Sequence, residues 1–355
     1  MSSALIDKIK KNSTIKETEV LSEQTLLHEK DSISTPVPML NVALSGRVDG
    51  GIIPGLTVLA GPSKHFKSLF ALVIGAAFLN KYPEGILLFY DSEFGTPTKY
   101  FENLGMDMDR IVHTPITNIE ELKHDLTSQL EGISRKDKIC IIVDSVGNLA
   151  SKKEVEDAKD GKSVADMSRA KAMKSLFRIV TPYLTVKDVP LIAINHTYKT
   201  MEMFSKDVVS GGTGIYYSAG DIWIIGRQQD KDDKTKKIEG YHFIINIEKS
   251  RLVREKMKIP ISVSYDHGIN KWSGLLENAL EAGIIVKPVA GRYERVNGNF
   301  SGKRFTESEI LNHDELWKDI LSSTDLPDYI KNKYSGSGSG NLIQNGEDSD
   351  DVHSD

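Results

Sequence analysis

Leu56-Thr57-Val58-Leu59-Ala60, then Gly61-Pro62-Ser63-Lys64-His65-Phe66-Lys67-Ser68, then Leu69-Phe70-Ala71-Leu72-Val73-Ile74: an apolar run of strand length feeds a short loop, and the loop opens a segment with apolar residues at helical spacing. Strand, loop and helix in this order are the setting of a phosphate-binding loop. Loop amides and the positive end of the helix dipole converge there on anionic phosphates, Lys67 reaches the β and γ phosphates, and the Ser68 hydroxyl sits on Mg2+. Gly61 to Leu69 are thus the candidate nucleotide-binding segment. The stretch departs from G-x-x-x-x-G-K-[ST] at one place, where Phe66 occupies the second glycine position. If that position needs a glycine-only backbone, a Phe costs roughly a few kcal/mol of strain and the loop is a decayed turn. Gly61, Lys67, Ser68 and both flanking elements favour a working site.

The 355 residues suffice for one large α/β domain or two domains. Apolar residues make up 39% and charged residues 27%, no apolar run reaches membrane-spanning length, and no signal region opens the chain. Cys140, the single cysteine, lies inside the apolar run Ile139 to Val143, which excludes an internal disulfide and fits a reducing cytoplasm with no membrane. The net charge of −5 is concentrated at one end: residues 341–355 hold Glu347, Asp348, Asp350, Asp351 and Asp355 and no Lys or Arg, so residues 1–340 balance at 45 of each sign. A neutral body with an acidic tail is compatible with nucleic-acid binding, the tail competing with phosphates for basic sites; a solubilising tail is the alternative.

Taken in order, Met1 to Asn12 reads as a short amphipathic helix, residues 13–33 as a polar connection, and Ser34 onward as the main domain. Ile86 to Tyr90, Ile139 to Val143 and Val189 to Ile194 are further buried-strand runs, and helices are expected near 97–104, 118–131 and 167–180. Continuous apolar strands alternating with helices imply a mostly parallel sheet with helices on both faces, whose ligands bind beyond the carboxyl ends of the strands. Polar residues stand at four such ends: Gly61 to Ser68, Asp91/Glu93, Asp144/Ser145 and Asn195/His196. From Asp221 the alternation of Ile222 to Ile225 and Tyr241 to Ile247 predicts an edge hairpin. Residues 271–334 read as a small, helical C-terminal region, and 335–355 as a flexible Ser/Gly linker with the acidic tail.

Asp144 is placed to hold Mg2+ together with Ser68, clamping the β and γ phosphates. Glu93 is placed to orient and deprotonate a water in line with the γ phosphate, with Asp91 as the competing candidate. His196 has no second His or Cys at ligand spacing and reads as a hydrogen-bonding strand end that senses the γ phosphate.

In order and spacing these motifs, with Ser34-Thr35 to Gly46, Tyr90-Asp91-Ser92-Glu93, Val143-Asp144-Ser145, Ile194-Asn195-His196 and Ser210-Gly211-Gly212, resemble the RecA-type recombinases over residues 30–290. The similarity is greatest to the UvsX-type branch of large tailed bacteriophages, through Asn195-His196-Thr197-Tyr198 and through Phe66 in the loop. The resemblance implies a RecA-like ATPase core over 34–270, a polymerisation segment over 1–33, and ATP-dependent strand exchange in recombination, repair and replication. The protein then polymerises with itself as a helical filament on single-stranded DNA, pairs with double-stranded DNA, and uses ATP and Mg2+. A phage single-strand DNA-binding protein and a recombination mediator are implied partners. By the same resemblance Glu93 matches the catalytic glutamate, Tyr100 the residue stacking on adenine, His196 a glutamine that couples nucleotide to DNA, and Lys249 and Arg251 the cations that reach ATP from the adjacent subunit.

Two segments resemble the family's DNA-binding loops: Ser151 to Ser168, which has no apolar period, and Thr197 to Gly214. Lys199, Met203, Phe204, Lys206, Gly211 and Gly212 offer cations, backbone amides and an apolar wedge for a single strand, and Arg169 and Lys174 follow the first loop. Two alternatives stand beside this reading. A hexameric helicase needs a separate N-terminal domain, for which the residues before the loop leave no room; a non-catalytic nucleotide-binding subunit requires Phe66 to block the site.

Overall fold

The computed structural model describes residues 2–15, 17–24, 30–161, 168–200, 207–231 and 237–336. Its strands are β1 (Gly55–Ala60), β2 (Ile86–Asp91), β3 (Ile111–Pro115), β4 (Ile139–Asp144), β5 (Pro190–Asn195), β6 (Thr197–Lys199), β7 (Asp207–Val209), β8 (Asp221–Lys231), β9 (Ile238–Lys249), β10 (Lys258–Ser264), β11 (Gly268–Ile269), β12 (Ile285–Val289), β13 (Arg292–Arg295) and β14 (Arg304–Phe305). Its helices are α1 (Ser2–Asn12), α2 (Pro38–Ser45), α3 (Lys67–Lys81), α4 (Thr98–Asn103), α5 (Ile119–Gly132), α6 (Lys152–Lys159), α7 (Ser168–Val186), α8 (Thr213–Ser218), α9 (Leu275–Glu281), α10 (Glu307–Leu311), α11 (Asp314–Ser322) and α12 (Asp325–Tyr334).

Among the described residues nine strands form one sheet in the order β11-β10-β9-β8-β1-β5-β4-β2-β3. The six strands from β8 to β3 run parallel, and β9, β10 and β11 extend the β8 side antiparallel. Apart from Thr57 and the polar residues at their carboxyl ends, the strands β1, β5, β4 and β2 are apolar because both faces are covered, and alternate side chains enter different cores. Leu59, Ile142 and Ile192 pack under α2 and α3, whereas Val58, Ala60, Ile141, Val143 and Leu191 pack under α5 and α7. α3 is buried on most of its circumference, from Phe70 to Leu79, which is why its apolar residues do not sort into a single stripe.

This topology gathers the polar strand ends. Parallel strands in register finish at one rim: Asp91 pairs with Asp144 across β2 and β4, and Ala60 pairs with Asn195 across β1 and β5. The four polar clusters lie at that rim, at the mouth of a cavity of about 1240 Å3.

Four stretches differ from expectation. Residues 152–159, expected as part of an unstructured loop, form α6, because Ser151 and Glu154 make a reciprocal capping box that satisfies the first-turn amides. The helix expected over 167–180 runs from Ser168 to Val186 through Pro182, with Leu184 buried beyond the proline. The C-terminal region, expected to be helical, carries the three-stranded sheet β12-β13-β14, whose strands are too short and too charged to show alternation. Ser335 and Gly336, the first residues of the expected flexible linker, are also held by the core: Ser335 bridges Val253, and the Gly336 amide donates to the Leu252 carbonyl.

Candidate active site

The loop between β1 and α3 wraps the start of the helix. The Lys67 side chain is buried and its Nζ donates to the Pro62 carbonyl at 2.8 Å, crossing the loop. Burial lowers the Lys67 ammonium from its ordinary value, and the carboxylates of Glu93 and Asp144 oppose that shift. Phe66, half-buried, caps α3 with its backbone in the left-handed region at φ 63° and lines the cavity wall rather than closing it. Tyr100, on α4, is exposed and also lines the cavity.

Asp144 ends β4. Burial pushes its carboxyl up to about 6, the charges of Glu93 and Asp91 add to that, and the Ser68 and Thr96 hydroxyls bonded to it act the other way. Its Oδ1 is buried without a hydrogen-bond partner among the described residues. An orphaned acidic oxygen beside the Ser68 hydroxyl is the donor set of a hard divalent cation, so the residues present fit Mg2+.

Glu93 and Asp91 have separate work. Both amides of the turn after β2, those of Glu93 and Phe94, donate to Asp91 Oδ1 at 3.0 and 2.8 Å, and His113 Nε2 lies 3.2 Å from Asp91 Oδ2. The buried Asp91 carboxylate therefore shapes the turn that presents Glu93. Glu93 lines the cavity, and its Oε1 accepts from Ser145 Oγ at 2.6 Å, Asn148 Nδ2 at 2.9 Å and His196 Nε2 at 3.0 Å. The bond from His196, with that from Ser145 behind it and burial opposing, holds the Glu93 carboxyl below its usual range.

His196 is fixed in turn. Its amide donates to Asn195 Oδ1, Asn195 Nδ2 donates to the Ser210 carbonyl, and the Ser210 amide donates to the His196 carbonyl. These bonds close the base of an antiparallel pair, β6 with β7, in which Lys199 faces Asp207 at 3.2 Å. The second expected loop is thus a hairpin at its base; Met203, Phe204 and Lys206 lie outside the described residues. Gly211 and Gly212 follow with φ of 97° and 73°, a turn that enters α8.

The remaining expected site residues lie apart from the cavity. Arg169 was expected to add a phosphate contact. Its guanidinium instead donates to the carbonyls of Leu149 at 2.8 Å and Gly147 at 2.6 Å, tying α7 to the turn after β4. Lys174 is exposed on α7, where its stem packs against Gly214 of α8. Lys249 Nζ donates to the carbonyls of Tyr216 and Ala219 at 2.7 and 2.8 Å, and burial with the charge of Arg251 lowers its ammonium. Arg251 is exposed beside it. Neither reaches this chain's own cavity. Asn148, Gly147 and Arg227 are site residues with no local signal: Asn148 holds Glu93, and Arg227 of β8 lines the cavity and donates to the Lys64 carbonyl.

Residues 2–270 match the model of the RecA N-terminal domain, and residues 272–330 match that of the C-terminal domain of the bacteriophage T4 recombination and repair protein. The chain belongs to the RecA family. It is 51% identical over 293 residues to the recombination and repair protein of Enterobacteria phage T4, covering 82% of this chain and 74% of that one. RecA of Allorhizobium ampelinum is 26% identical over 293 residues (81% and 76% covered), and RecA of Bdellovibrio bacteriovorus 25% over 318 residues (86% and 80%). As a RecA-family protein of this branch it is a DNA-dependent ATPase and a strand-exchange protein of recombination and repair, which sets aside the helicase and the non-catalytic subunit. The parallel sheet with helices on both faces is the RecA-like core.

Proposed function

We propose that this RecA-family ATPase holds Mg-ATP between neighbouring copies of itself in a helical filament on single-stranded DNA, and that hydrolysis follows engagement of DNA by the hairpin above His196. The observation that carries this is one bonded path: the cavity that contains Lys67, Ser68 and Asp144 also contains Glu93, and Glu93 is hydrogen-bonded to His196 at the base of the β6–β7 hairpin.

In this reading the backbone of residues 61–69, through every amide but that of Pro62, and the Lys67 ammonium bind the β and γ phosphates, and Tyr100 lies along the adenine. Ser68 and Asp144 hold Mg2+, which when bound offsets charge on the phosphate oxygens. Glu93 orients the attacking water and accepts its proton; its depressed pKa keeps it ionised and able to accept at neutral pH. Lys249 and Arg251, outside their own cavity, serve the nucleotide of the adjacent copy, Lys249 giving up its bonds to the Tyr216 and Ala219 carbonyls to do so. The DNA surface comprises Lys199, Met203, Phe204, Lys206, Gly211, Gly212 and Lys174, with Arg169 supporting it from behind. Double-stranded DNA, a phage single-strand DNA-binding protein and a recombination mediator complete the partners. The described residues contain no helix long and apolar enough to cross a membrane, and the work belongs in the host cytoplasm.

The test is ATP hydrolysis by the full chain with and without single-stranded DNA, with electron microscopy of the same mixtures. At least tenfold stimulation and filaments are expected. Equal turnover with and without DNA, or particles that never assemble on it, overturns the proposal.

A further inference from the structure

Phe66 stands where the phosphate-loop pattern has its second glycine, and its backbone has a glycine-like conformation, φ 63° and ψ 12°. Lys64, two residues earlier, lies in the same left-handed region at φ 62°. Side chains with a Cβ stay in that region only where their surroundings over-determine it. Here both residues are gripped from one hairpin, β8 with β9. From β9 the buried Phe243 stacks on the Phe66 ring, centroids 4.8 Å apart and planes at 27°, and Phe70 of α3 closes edge-on against both rings. From β8, Arg227 Nη1 donates to the Lys64 carbonyl at 3.1 Å, its guanidinium 4.8 Å from the centre of the Tyr241 ring.

The two grips are coordinated. Arg227 and Phe243 are partners across the β8–β9 ladder, so their side chains leave the same face of the hairpin. The start of the loop meets this hairpin as well: a Cβ on Gly61 would stand 2.8 Å from the Ile225 carbonyl oxygen. A loop pinned at residues 61, 64 and 66 has little freedom left in how it aims its amides.

We propose that Arg227 and Phe243 form a two-point clamp that positions the phosphate loop, supplying from the β8–β9 hairpin the conformational support that a glycine at residue 66 would not need. This deepens the nucleotide-binding reading and rests on it. Both are positioning residues; the clamp sets how tightly nucleotide is held and leaves the chemical step to Lys67 and Glu93.

The experiment measures equilibrium binding of Mg-ADP and steady-state ATP hydrolysis with single-stranded DNA, on full-length R227A, F243L, F243Y, F66G and the double variant F66G/F243L. R227A and F243L are each expected to raise the ADP Kd and the ATP KM about tenfold, with kcat within about twofold of wild type. F243Y, which keeps the ring, is expected to bind as wild type. Because a glycine at 66 needs no stacking partner, F243L is expected to add less than about twofold to Kd in the F66G background, as it must if Phe243 acts on nucleotide binding through the Phe66 ring. Arg227 is exposed, so R227A keeps the question answerable if F243L fails to fold. Unchanged Kd and KM in R227A overturn the clamp, as does an equal effect of F243L with and without Phe66. Wild-type protein that binds no Mg-ADP would instead remove the nucleotide reading itself.

Discussion

Gly147 has no special backbone angle, yet no other residue fits there. A Cβ at this position would lie 2.6 Å from His196 Cδ2 and 2.9 Å from the His196 amide nitrogen. Gly147→Ala must therefore displace the imidazole that bonds Glu93, and if Glu93 is the proposed base a shift of that size costs about 10- to 100-fold in turnover. We expect kcat to fall with the ATP KM nearly unchanged and thermal stability within a few degrees of wild type; full activity would show that the His196–Glu93 bond is dispensable. Lys67→Ala removes the ammonium that crosses the loop to the Pro62 carbonyl and should lose about 100-fold or more in turnover, read in the same DNA-stimulated assay. Asp221 allows a pH test away from the cavity. Burial pushes its carboxyl up to about 6, against the opposing effects of Ser250, Arg251 and Lys249. With the folded value above the unfolded one, the native state holds an extra proton between about pH 4 and 6, so this group favours the fold below about pH 4 and that support is lost as pH rises through 6. The shift corresponds to about 3 kcal/mol. Asp221→Asn should flatten stability against pH in that window and raise it at pH 7, measured by urea unfolding.

At the scale of elements, what could be read from the chain was what the chain states locally. β1, β2, β4 and β5 are largely apolar because both sheet faces are covered; β2, β4 and β5 end on Asp91, Asp144 and Asn195, and β1 runs straight into the phosphate loop, so the parallel topology carries all four ends to one rim. The candidates Lys67, Ser68, Asp144 and Glu93 were legible for that reason. α6 was not: Val155 is its one branched apolar residue, none of its residues is buried, and its stability comes from the Ser151–Glu154 capping box. Ser151→Ala should therefore cost about 1 kcal/mol locally, seen as faster amide exchange over 152–159 with the global unfolding midpoint little changed. Arg227 and Phe243 escaped for another reason. Their meaning lies in the cross-strand register, which places residues 16 apart opposite each other and aims both at a loop more than 160 residues away from one of them. Arg169 misled because a basic residue after a polar loop has the same local appearance whether it meets phosphate or, as here, the backbone carbonyls of the turn after β4.

On the proposed function, the molecule carries the parts of one active site at two separate places. Lys67, Asp144 and Glu93 share the cavity, while Lys249 and Arg251 stand at the far end of β9, the strand whose Phe243 packs on the loop. An assembly in which each copy offers its cations to the next is heterologous; such contacts run from copy to copy, as a helical filament where the rotation does not close, rather than pairing two copies symmetrically. Complementation tests this arrangement. Glu93→Gln alone and the Lys249→Ala/Arg251→Ala double variant alone should each lose about 1000-fold or more in turnover, the scale of a charge-stabilising cation supplied in trans. Mixed in equal amounts on single-stranded DNA, they form junctions in which an intact Glu93 meets intact cations, and random mixing should return about one quarter of wild-type turnover. A mixture no more active than its components assigns both functions to one copy, and a fully active double variant removes the two cations from the reaction. Because β9 links Phe243 to Lys249, the double variant should also leave the equilibrium affinity for Mg-ADP of an isolated copy within about twofold of wild type, which separates a role at the junction from damage to the loop.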